Sequence, residues 1–173
     1  MVRLFSILTV AILMIACTSN SEVRMADVPR TTPGAAAKLA AEAKRSMEDM
    51  EAHQPVQATF PAAYAFAAIP ARLALEQQLW QQASELKTRS PDYIAWENSP
   101  QVEAITYYAR GLGAVRNRDV KRAKENVNAL DVLFEKTLAI SPDYWAPLLD
   151  AQRQVVTVWI SYETGNGAIA FVW

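Results

Sequence analysis

The chain has 173 residues, which is enough for one domain with a sizeable hydrophobic core. Hydrophobic residues make up 51% of it, charged residues make up 20%, and the formal net charge at pH 7 is -1. Binding to nucleic acid requires several lysine or arginine side chains on one face to neutralise phosphates, and the sequence has no basic run. The composition therefore argues against a nucleic-acid partner.

The first residues have the pattern of an export signal. Arg3 is followed by a largely apolar run from Leu4 to Ala16, which is too short for a comfortable membrane span. Residues 13–17, Leu-Met-Ile-Ala-Cys, resemble the lipobox of bacterial lipoproteins. This resemblance implies a lipoprotein signal peptide over residues 1–16 and lipidation of Cys17, the only cysteine in the chain.

The alternative interpretation of Cys17 is a chance thiol at the end of a signal, because a lone cysteine forms no internal disulfide. Lipidation would attach more acyl chains than stable anchoring needs. Thr18 follows the cysteine, and by resemblance to enterobacterial lipoproteins a residue other than aspartate there favours the outer membrane over the inner one. We therefore expect a periplasm-facing lipoprotein of the bacterial cell envelope.

A tether and a first helix are expected after the signal. Residues 17–33 are polar, contain two prolines and lack periodicity, so they predict a flexible tether. Residues 34–173 predict a single helical-repeat domain, and its first helix is expected from Gly34 to His53. The predicted apolar stripe of this helix is Leu39, Ala43, Met47 and Met50.

The segment from Phe60 to Ser90 predicts a first pair of antiparallel helices. One arm runs from Ala62 to Glu76, and the other runs from Leu79 to Leu86 after a turn at residues 77–78. Pro70 lies inside the first arm. Because proline lacks a backbone donor and crowds the preceding turn, we expect it to kink or split that helix.

The clearest helical pattern lies between Pro100 and Pro147. A helix that ends at Arg116 and a helix from Val120 to Ile140 are separated by three polar residues, 117–119. So short a link permits little besides antiparallel packing. The predicted buried stripe of the first helix is Val102, Ile105, Tyr108, Ala109, Leu112 and Val115. The predicted stripe of the second is Val120, Ala123, Val127, Leu130, Phe134 and Leu138.

A tetrapeptide repeat indicates that the pattern continues. Ser-Pro-Asp-Tyr occurs at residues 90–93 and again at 141–144, each time after a predicted hairpin and before an apolar helix. The second copy opens a third unit, whose return arm at residues 168–173 makes an incomplete hairpin. The first helix of this unit is predicted to bury Leu148, Gln152, Val155, Val156, Trp159 and Tyr162.

These hairpins resemble tetratricopeptide (TPR) repeats, which place small residues where their two helices meet. Ala71 and Ala83 occupy such positions in the first pair, Gly111 and Ala123 in the second, and Ala170 in the third. The markers recur at wider intervals than the roughly 34 residues of a TPR unit, so the array is divergent, with an overlong second helix in the middle unit. The resemblance implies an all-α fold, a short right-handed stack of antiparallel helical hairpins with about six helices after the signal peptide.

The stretch from Met47 to Ala170 is also similar to an interior portion of longer, functionally undefined bacterial TPR proteins. In TPR proteins the first helices of the repeats line a groove that holds peptides, which implies a protein or peptide partner here. The side chains that this register directs towards the groove are Arg72, Glu76, Tyr108, Arg116, Gln152, Trp159 and Tyr162. The alternative is that Tyr108 and Trp159 belong to the core and that the charges are merely solvated.

The expected function is a membrane-anchored scaffold that binds a partner without catalysis, metal or small-molecule cofactor. One alternative is a truncated remnant of a longer TPR protein without independent activity. The other is an enzyme built on a surface carboxylate pair, Glu103 with Asp150 or Glu76 with Asp92. Against an enzyme, the sequence offers no nucleophile with a base, no glycine-rich phosphate loop and no metal-ligand cluster, and His53 is the sole histidine.

Overall fold

A computed structural model of the chain describes residues 33–52 and 59–165, and every regular element among them is helical. The all-α class predicted from the sequence is therefore confirmed. The α-helices described are α1 (Pro33–Ala52), α2 (Phe60–Glu76), α3 (Trp80–Ser84), α4 (Pro100–Arg116), α5 (Val120–Ile140) and α6 (Trp145–Glu163). A short 3-10 helix, Trp96–Asn98, precedes α4. The described residues from Ala36 onward form one compact unit.

The helix α4 lies at the centre of this unit. It packs against α5 and also contacts α2, α3, α6 and the 3-10 helix. The predicted turn at residues 117–119 joins α4 to α5, so the central hairpin is confirmed. Asp119 caps α5, because its Oδ1 accepts a hydrogen bond of 3.0 Å from the backbone N–H of Arg122.

Three groups of buried side chains hold the helices together. The first group, which joins α2 to α4, is Ala63, Phe66, Ala67, Ile94, Trp96 and Val102. The other two join α4, α5 and α6. They are Ala114, Val115, Ala123, Val156 and Ile160, and Ala104, Leu130, Leu133 and Leu149. The helix α1 reaches the first group through Met47 and Met50, whereas Leu39 of its predicted stripe is 52% exposed.

The second arm of the first pair is shorter than the sequence predicts. The arm was expected from Leu79 to Leu86, but α3 has only five residues. Its backbone lies directly against α4, since a Cβ added at Gly113 would lie 2.6 Å from the nitrogen of Ser84 and 2.6 Å from the carbonyl oxygen of Trp80. Glycine at this position therefore permits the close approach of the two backbones.

Pro70 does not split α2, contrary to one expectation. The helix is continuous from Phe60 to Glu76 with the proline inside it. The small residues on either side of Pro70 are buried, and α2 packs on α4. We infer that this close packing compensates for the backbone hydrogen bond that proline cannot make. These buried small residues are Ala67, Ala68, Ala71 and Ala74.

On α5 the buried face differs from the predicted stripe. Leu138 is 42% exposed, while the polar residues Asn126 and Thr137 are buried. Their polar atoms are hydrogen-bonded. The Asn126 amide donates to the carbonyl oxygen of Arg122 and its Oδ1 accepts from Arg110 of α4 at 3.2 Å, while the Thr137 hydroxyl donates to the carbonyl oxygen of Leu133. Apolar periodicity could not find this face because two of its members are polar.

On α6 three members of the predicted stripe are wrong, while Val156 is buried as predicted. Leu148, Val155 and Tyr162 were expected in the core, but they are 47%, 40% and 60% exposed. The buried residues are Ala146, Leu149, Val156 and Ile160. Apolar side chains lie on two faces of this helix, and packing against α4 and α5 buries only one of them.

The two Ser-Pro-Asp-Tyr segments have different surroundings. Residues 141–144 lead directly into α6, whereas residues 90–93 lie in a loop and are followed by the 3-10 helix before α4 begins. The indole N–H of Trp96 donates to the carbonyl oxygen of Pro91 at 2.9 Å and fixes this loop. Each copy thus precedes a helix as predicted, but only the second copy adjoins its helix directly.

Some predictions lie outside the described residues. They concern the signal peptide at 1–16, Cys17, the tether up to residue 32, His53, and the return arm at 168–173 with Ala170. Among the helices that are described, none combines the length and the apolar character needed to cross a bilayer.

Candidate binding groove

A cavity of about 320 Å³ opens between α2, α4 and α6, the helices that the sequence places first in successive pairs. We call this cavity the groove. Its lining residues are Tyr64, Ala68, Ala71, Arg72, Leu75, Gln101, Ile105, Tyr108, Trp145, Leu148, Leu149 and Gln152. Its volume and its mainly apolar lining with a few polar groups are typical of ligand-binding sites.

An aromatic cluster adjoins the groove, and two of its members, Tyr64 and Trp145, line it. The ring centroids of Phe60 and Trp145 are 6.0 Å apart, and those of Tyr64 and Trp145 are 6.5 Å apart. Phe60 and Tyr64 are separated by 6.4 Å, so each of the three rings is within contact range of the other two. The cluster brings the beginning of α2 to the beginning of α6 and presents a large apolar surface there.

Tyr108 belongs both to the groove and to the core. Its ring packs against two of the buried groups, and burial raises the pKa of its phenol above the ordinary value of 10.0. The phenol is therefore neutral at physiological pH. Its hydroxyl makes no hydrogen bond to any of the residues that the structure describes, so it is available to a ligand in the groove.

The groove is also lined by one arginine and two glutamines. Arg72 is exposed, and within the described part of the chain it makes no ion pair or hydrogen bond. Among the described residues it is the only charged side chain that lines the groove. Gln152 is half-buried, and the Oε1 atom of Gln101 is buried without a hydrogen-bond partner among the described residues. A buried acceptor without a donor is costly, so Gln101 favours an incoming hydrogen-bond donor or water.

A second group of predicted residues lies further along α4 and α6. The guanidinium carbon of Arg116 is 4.5 Å from the ring centroid of Trp159 and 5.2 Å from that of Trp80. Tyr162 meets Trp159 edge to face at 5.8 Å. We call these four residues the arginine–tryptophan stack. Its cation–π contacts join α3, α4 and α6, so Arg116 and Trp159 already have partners within the molecule.

The predicted partner-binding residues are thus divided between two places. Arg72, Tyr108 and Gln152 come together in the groove, whereas Arg116, Trp159 and Tyr162 belong to the arginine–tryptophan stack. Glu76 is the last residue of α2, is exposed, and lines neither. The groove corresponds to the first interpretation of these residues, a partner-binding surface. The arginine–tryptophan stack corresponds to the alternative, packing within the molecule.

Among the groove residues that the sequence analysis did not select are three with polar or aromatic side chains, Tyr64, Gln101 and Trp145. Tyr64 precedes Ala68 and Ala71 by four and seven residues, so helical spacing from the marker alanine could have placed it on the groove face. Trp145 follows the second tetrapeptide but comes close to α2 only through the tertiary fold. Gln101 carries no sequence signal of its own.

A larger depression of about 710 Å³ lies over the loop between α3 and the 3-10 helix. Its lining carries both signs of charge, from Glu85 and Asp92 to Lys87, Arg89 and Arg110. Several of these charges serve the fold, and the lining contains few apolar groups. It is therefore a weaker candidate for a binding site than the groove.

Two of the carboxylates considered for catalysis, Glu103 and Asp150, are bound by arginines. Glu103 is buried, and its two oxygens accept hydrogen bonds from Arg89 at 2.7 and 3.1 Å. Glu103 raises the pKa of the Arg89 guanidinium further above its ordinary value, so the guanidinium stays charged. Asp150 is bound by Arg153 at 2.6 Å.

The pairing of Glu103 with Asp150 that the sequence suggested is therefore not the arrangement found, because each has an arginine partner. Of the other pair, Glu76 is the last residue of α2 and Asp92 lies in the loop between α3 and the 3-10 helix. Within residues 33–52 and 59–165, no cluster of histidine, cysteine and carboxylate side chains has the makings of a metal site.

Comparison with known proteins gives no family: no protein-family model, no curated protein and no solved structure matches this chain.

Proposed function

We propose that this protein is a membrane-anchored scaffold of helical hairpins that binds a segment of a partner protein in the groove and performs no catalysis. The observation that carries the proposal is the groove itself, an apolar cavity lined by three helices from successive pairs and edged by unpartnered polar groups. Grooves between stacked helices hold extended or helical peptides in this way.

The chemistry of the groove indicates the kind of segment that fits. The aromatic rings of Tyr64 and Trp145, which line the groove, accept an apolar side chain. Tyr108 and Gln152 can donate or accept hydrogen bonds along the peptide backbone, while Arg72 attracts an acidic side chain or other anionic group. The groove thus favours a peptide segment that combines an apolar anchor with an acidic neighbour.

The anchor in this proposal is Cys17, on the resemblance of residues 13–17 to a lipobox. We propose that this anchor holds the protein in the bacterial cell envelope, facing the periplasm, with the outer membrane favoured. We expect Cys17→Ser to release the protein from the membrane fraction and to abolish labelling by radioactive palmitate. Continued lipid labelling of that variant would exclude Cys17 as the lipidated residue.

The groove is tested with the tagged full chain as bait in detergent-solubilised envelopes. The test variant combines Arg72→Glu with Tyr108→Phe, which reverses the one charge of the groove and removes one hydroxyl without opening a cavity. We expect the variant to recover about tenfold less, or less still, of a partner that the wild-type chain recovers. A tenfold loss of affinity corresponds to roughly 1.4 kcal/mol of binding free energy. Equal circular dichroism spectra of the two chains verify that both are folded.

The matched control is Lys136→Glu, a charge reversal at an exposed position of α5 that does not line the groove. It should recover the partner as the wild-type chain does. Recovery of the same proteins by the wild-type chain, the control and the groove variant would refute the groove as the binding site.

A further inference from the structure

One face of α6 is apolar and exposed along the length of the helix. Counted from the residue before the helix, its members follow one another at alternating steps of four and three residues. They are Tyr144, Leu148, Ala151, Val155, Val158 and Tyr162, and we call them the α6 stripe. All six are exposed, from 37% at Val158 to 63% at Tyr144 where a value is given. This spacing is that of the a and d positions of a coiled coil.

None of the six residues of the α6 stripe belongs to the three groups of buried side chains. The helix is held in the molecule through Leu149, Val156 and Ile160, which lie on another face and are buried. A helix of a monomeric protein normally shows one apolar face and one polar face. A second apolar face that is exposed over several turns marks an interaction surface.

We propose that the α6 stripe is a self-association surface on which the α6 of a second copy packs antiparallel. The order of side chains along the stripe is suited to this partner. With the two Arg153 residues at the same level, Leu148 faces Val158 of the second copy and Ala151 faces its Val155. The two tyrosines, Tyr144 and Tyr162, then face each other at both ends. Every layer therefore places an a position against a d position, as a two-fold symmetric contact requires.

The charges of α6 also suit a second copy. The residues that flank the stripe on its two sides are uncharged, so two identical surfaces would not repel each other. They are Trp145, Gln152 and Trp159, and Pro147, Gln154 and Ser161. Arg153 is directed away from the stripe, since it binds Asp131 at 2.8 Å and lies 4.9 Å from the ring centroid of Phe134 on α5.

The stripe from Tyr144 to Tyr162 extends over roughly 27 Å of helix, and a second α6 matches it along its whole length. The α6 stripe adjoins the groove, because Leu148 belongs to both and the flanking residues Trp145 and Gln152 also line the groove. The proposal needs neither Arg72 nor Tyr108, and it does not rest on the proposed function.

The test is cross-linking in membranes between two co-expressed full-length chains of different tag size, one with Leu148→Cys and the other with Val158→Cys. In the antiparallel pair these positions are adjacent, whereas two copies of Leu148→Cys are separated by roughly 15 Å along the axis. With a thiol reagent shorter than that separation, we expect the mixed product and little product between like chains. Cross-linking mainly between like chains indicates parallel pairing and would overturn the proposal, as would the absence of any product.

Matched variants establish that the product depends on the stripe. Adding Val155→Lys to both chains should lower the mixed product by about tenfold, because each copy loses one apolar layer. Val132→Lys, at an exposed position of α5, should leave it unchanged. The wild-type chain, whose only cysteine is Cys17, gives the background. A mixed product that persists with Val155→Lys, or one that forms only after deletion of residues 166–173, would contradict self-association of the full chain through the stripe.

Discussion

At Gly113 a single hydrogen atom decides how closely two helices approach. A Cβ there would lie 2.6 Å from two backbone atoms of α3 and 2.8 Å from the Cβ of Ala83. Backbone atoms cannot move aside as the end of a flexible side chain can. The sequence analysis used Gly111 as the close-contact marker, but a Cβ at Gly111 would meet only side-chain atoms, the nearest being a methyl of Val156 at 3.0 Å.

We predict that Gly113→Ala destabilises the protein by about 1–3 kcal/mol, the usual cost of adding a methyl group to a packed interface. Gly34→Ala is the matched control, because a Cβ at Gly34 has no atom within 4 Å. It should be neutral or slightly stabilising, since alanine favours a helix more than glycine does. Denaturant unfolding measures both changes, and equal stability of the two variants would contradict the proposed contact.

The raised pKa of Tyr108 gives stability a pH dependence of known sign. Burial favours the neutral phenol in the folded state, whereas in the unfolded state the phenol ionises at its ordinary pKa of 10.0. The contribution is fully present below that pH and is lost as pH rises through the folded pKa. We therefore expect the free energy of unfolding to fall above pH 10, and to fall less in Tyr108→Phe.

Tyr93 contributes to the same decline, because partial desolvation also raises the pKa of its phenol. The variant Tyr93→Phe separates its share from that of Tyr108. The measurement is denaturant unfolding of the wild-type chain and the two variants at pH 8 and pH 11. An identical pH dependence in wild type and Tyr108→Phe would show that the Tyr108 phenol is not shielded from water.

At the level of elements, the start of α5 depends on one side chain while the start of α4 does not. Asp119 accepts a hydrogen bond from the backbone of α5, whereas Ser99, the N-cap of α4, makes no side-chain cap bond. We predict that Asp119→Ala costs about 1 kcal/mol of stability and that Ser99→Ala costs much less. Thermal unfolding of both variants tests this difference, and equal losses would argue against the cap.

The sequence predicts which segments are helical better than which faces they bury. The bounds of α4 and α5 follow from their apolar spacing and from the polar residues 117–119 between them. On α6, however, Leu148 and Leu149, like Val155 and Val156, are neighbours of equal apolarity. Only the positions of α4 and α5 decide that Leu149 and Val156 are buried.

The sequence predicts the residues of the groove only in part, as it does the buried faces of the helices. The register of the small residues places Arg72, Tyr108 and Gln152 correctly on facing helices. It also selects Arg116 and Trp159, which bind each other instead, because a cation within reach of aromatic rings packs against them. Whether such side chains face a ligand or one another depends on distances between helices, which spacing along the chain does not contain.

At the scale of the whole molecule, stability is concentrated at α4. This helix packs against α2, α3, α5 and α6 and against the 3-10 helix. Its residues Val102, Ala109 and Val115 have no solvent exposure. The helix α1 is held mainly by Met47 and Met50 at its C-terminal half, and most of its other described side chains are exposed. Opening α1 therefore exposes little apolar surface, whereas opening α4 disrupts all three buried groups.

Amide hydrogen exchange of the full chain should reflect this difference. We predict that the amides of α4 exchange only through global unfolding, so that their protection decreases in Gly113→Ala by the same free energy as the stability of the whole protein. The amides of α1 should exchange faster by several orders of magnitude and should be insensitive to that substitution, because they open locally. Mass spectrometry of peptides from α1 and α4 measures both rates. Equal protection of the two helices would mean that α1 is an integral part of the folded core, and the central position of α4 would then not govern the stability of the molecule.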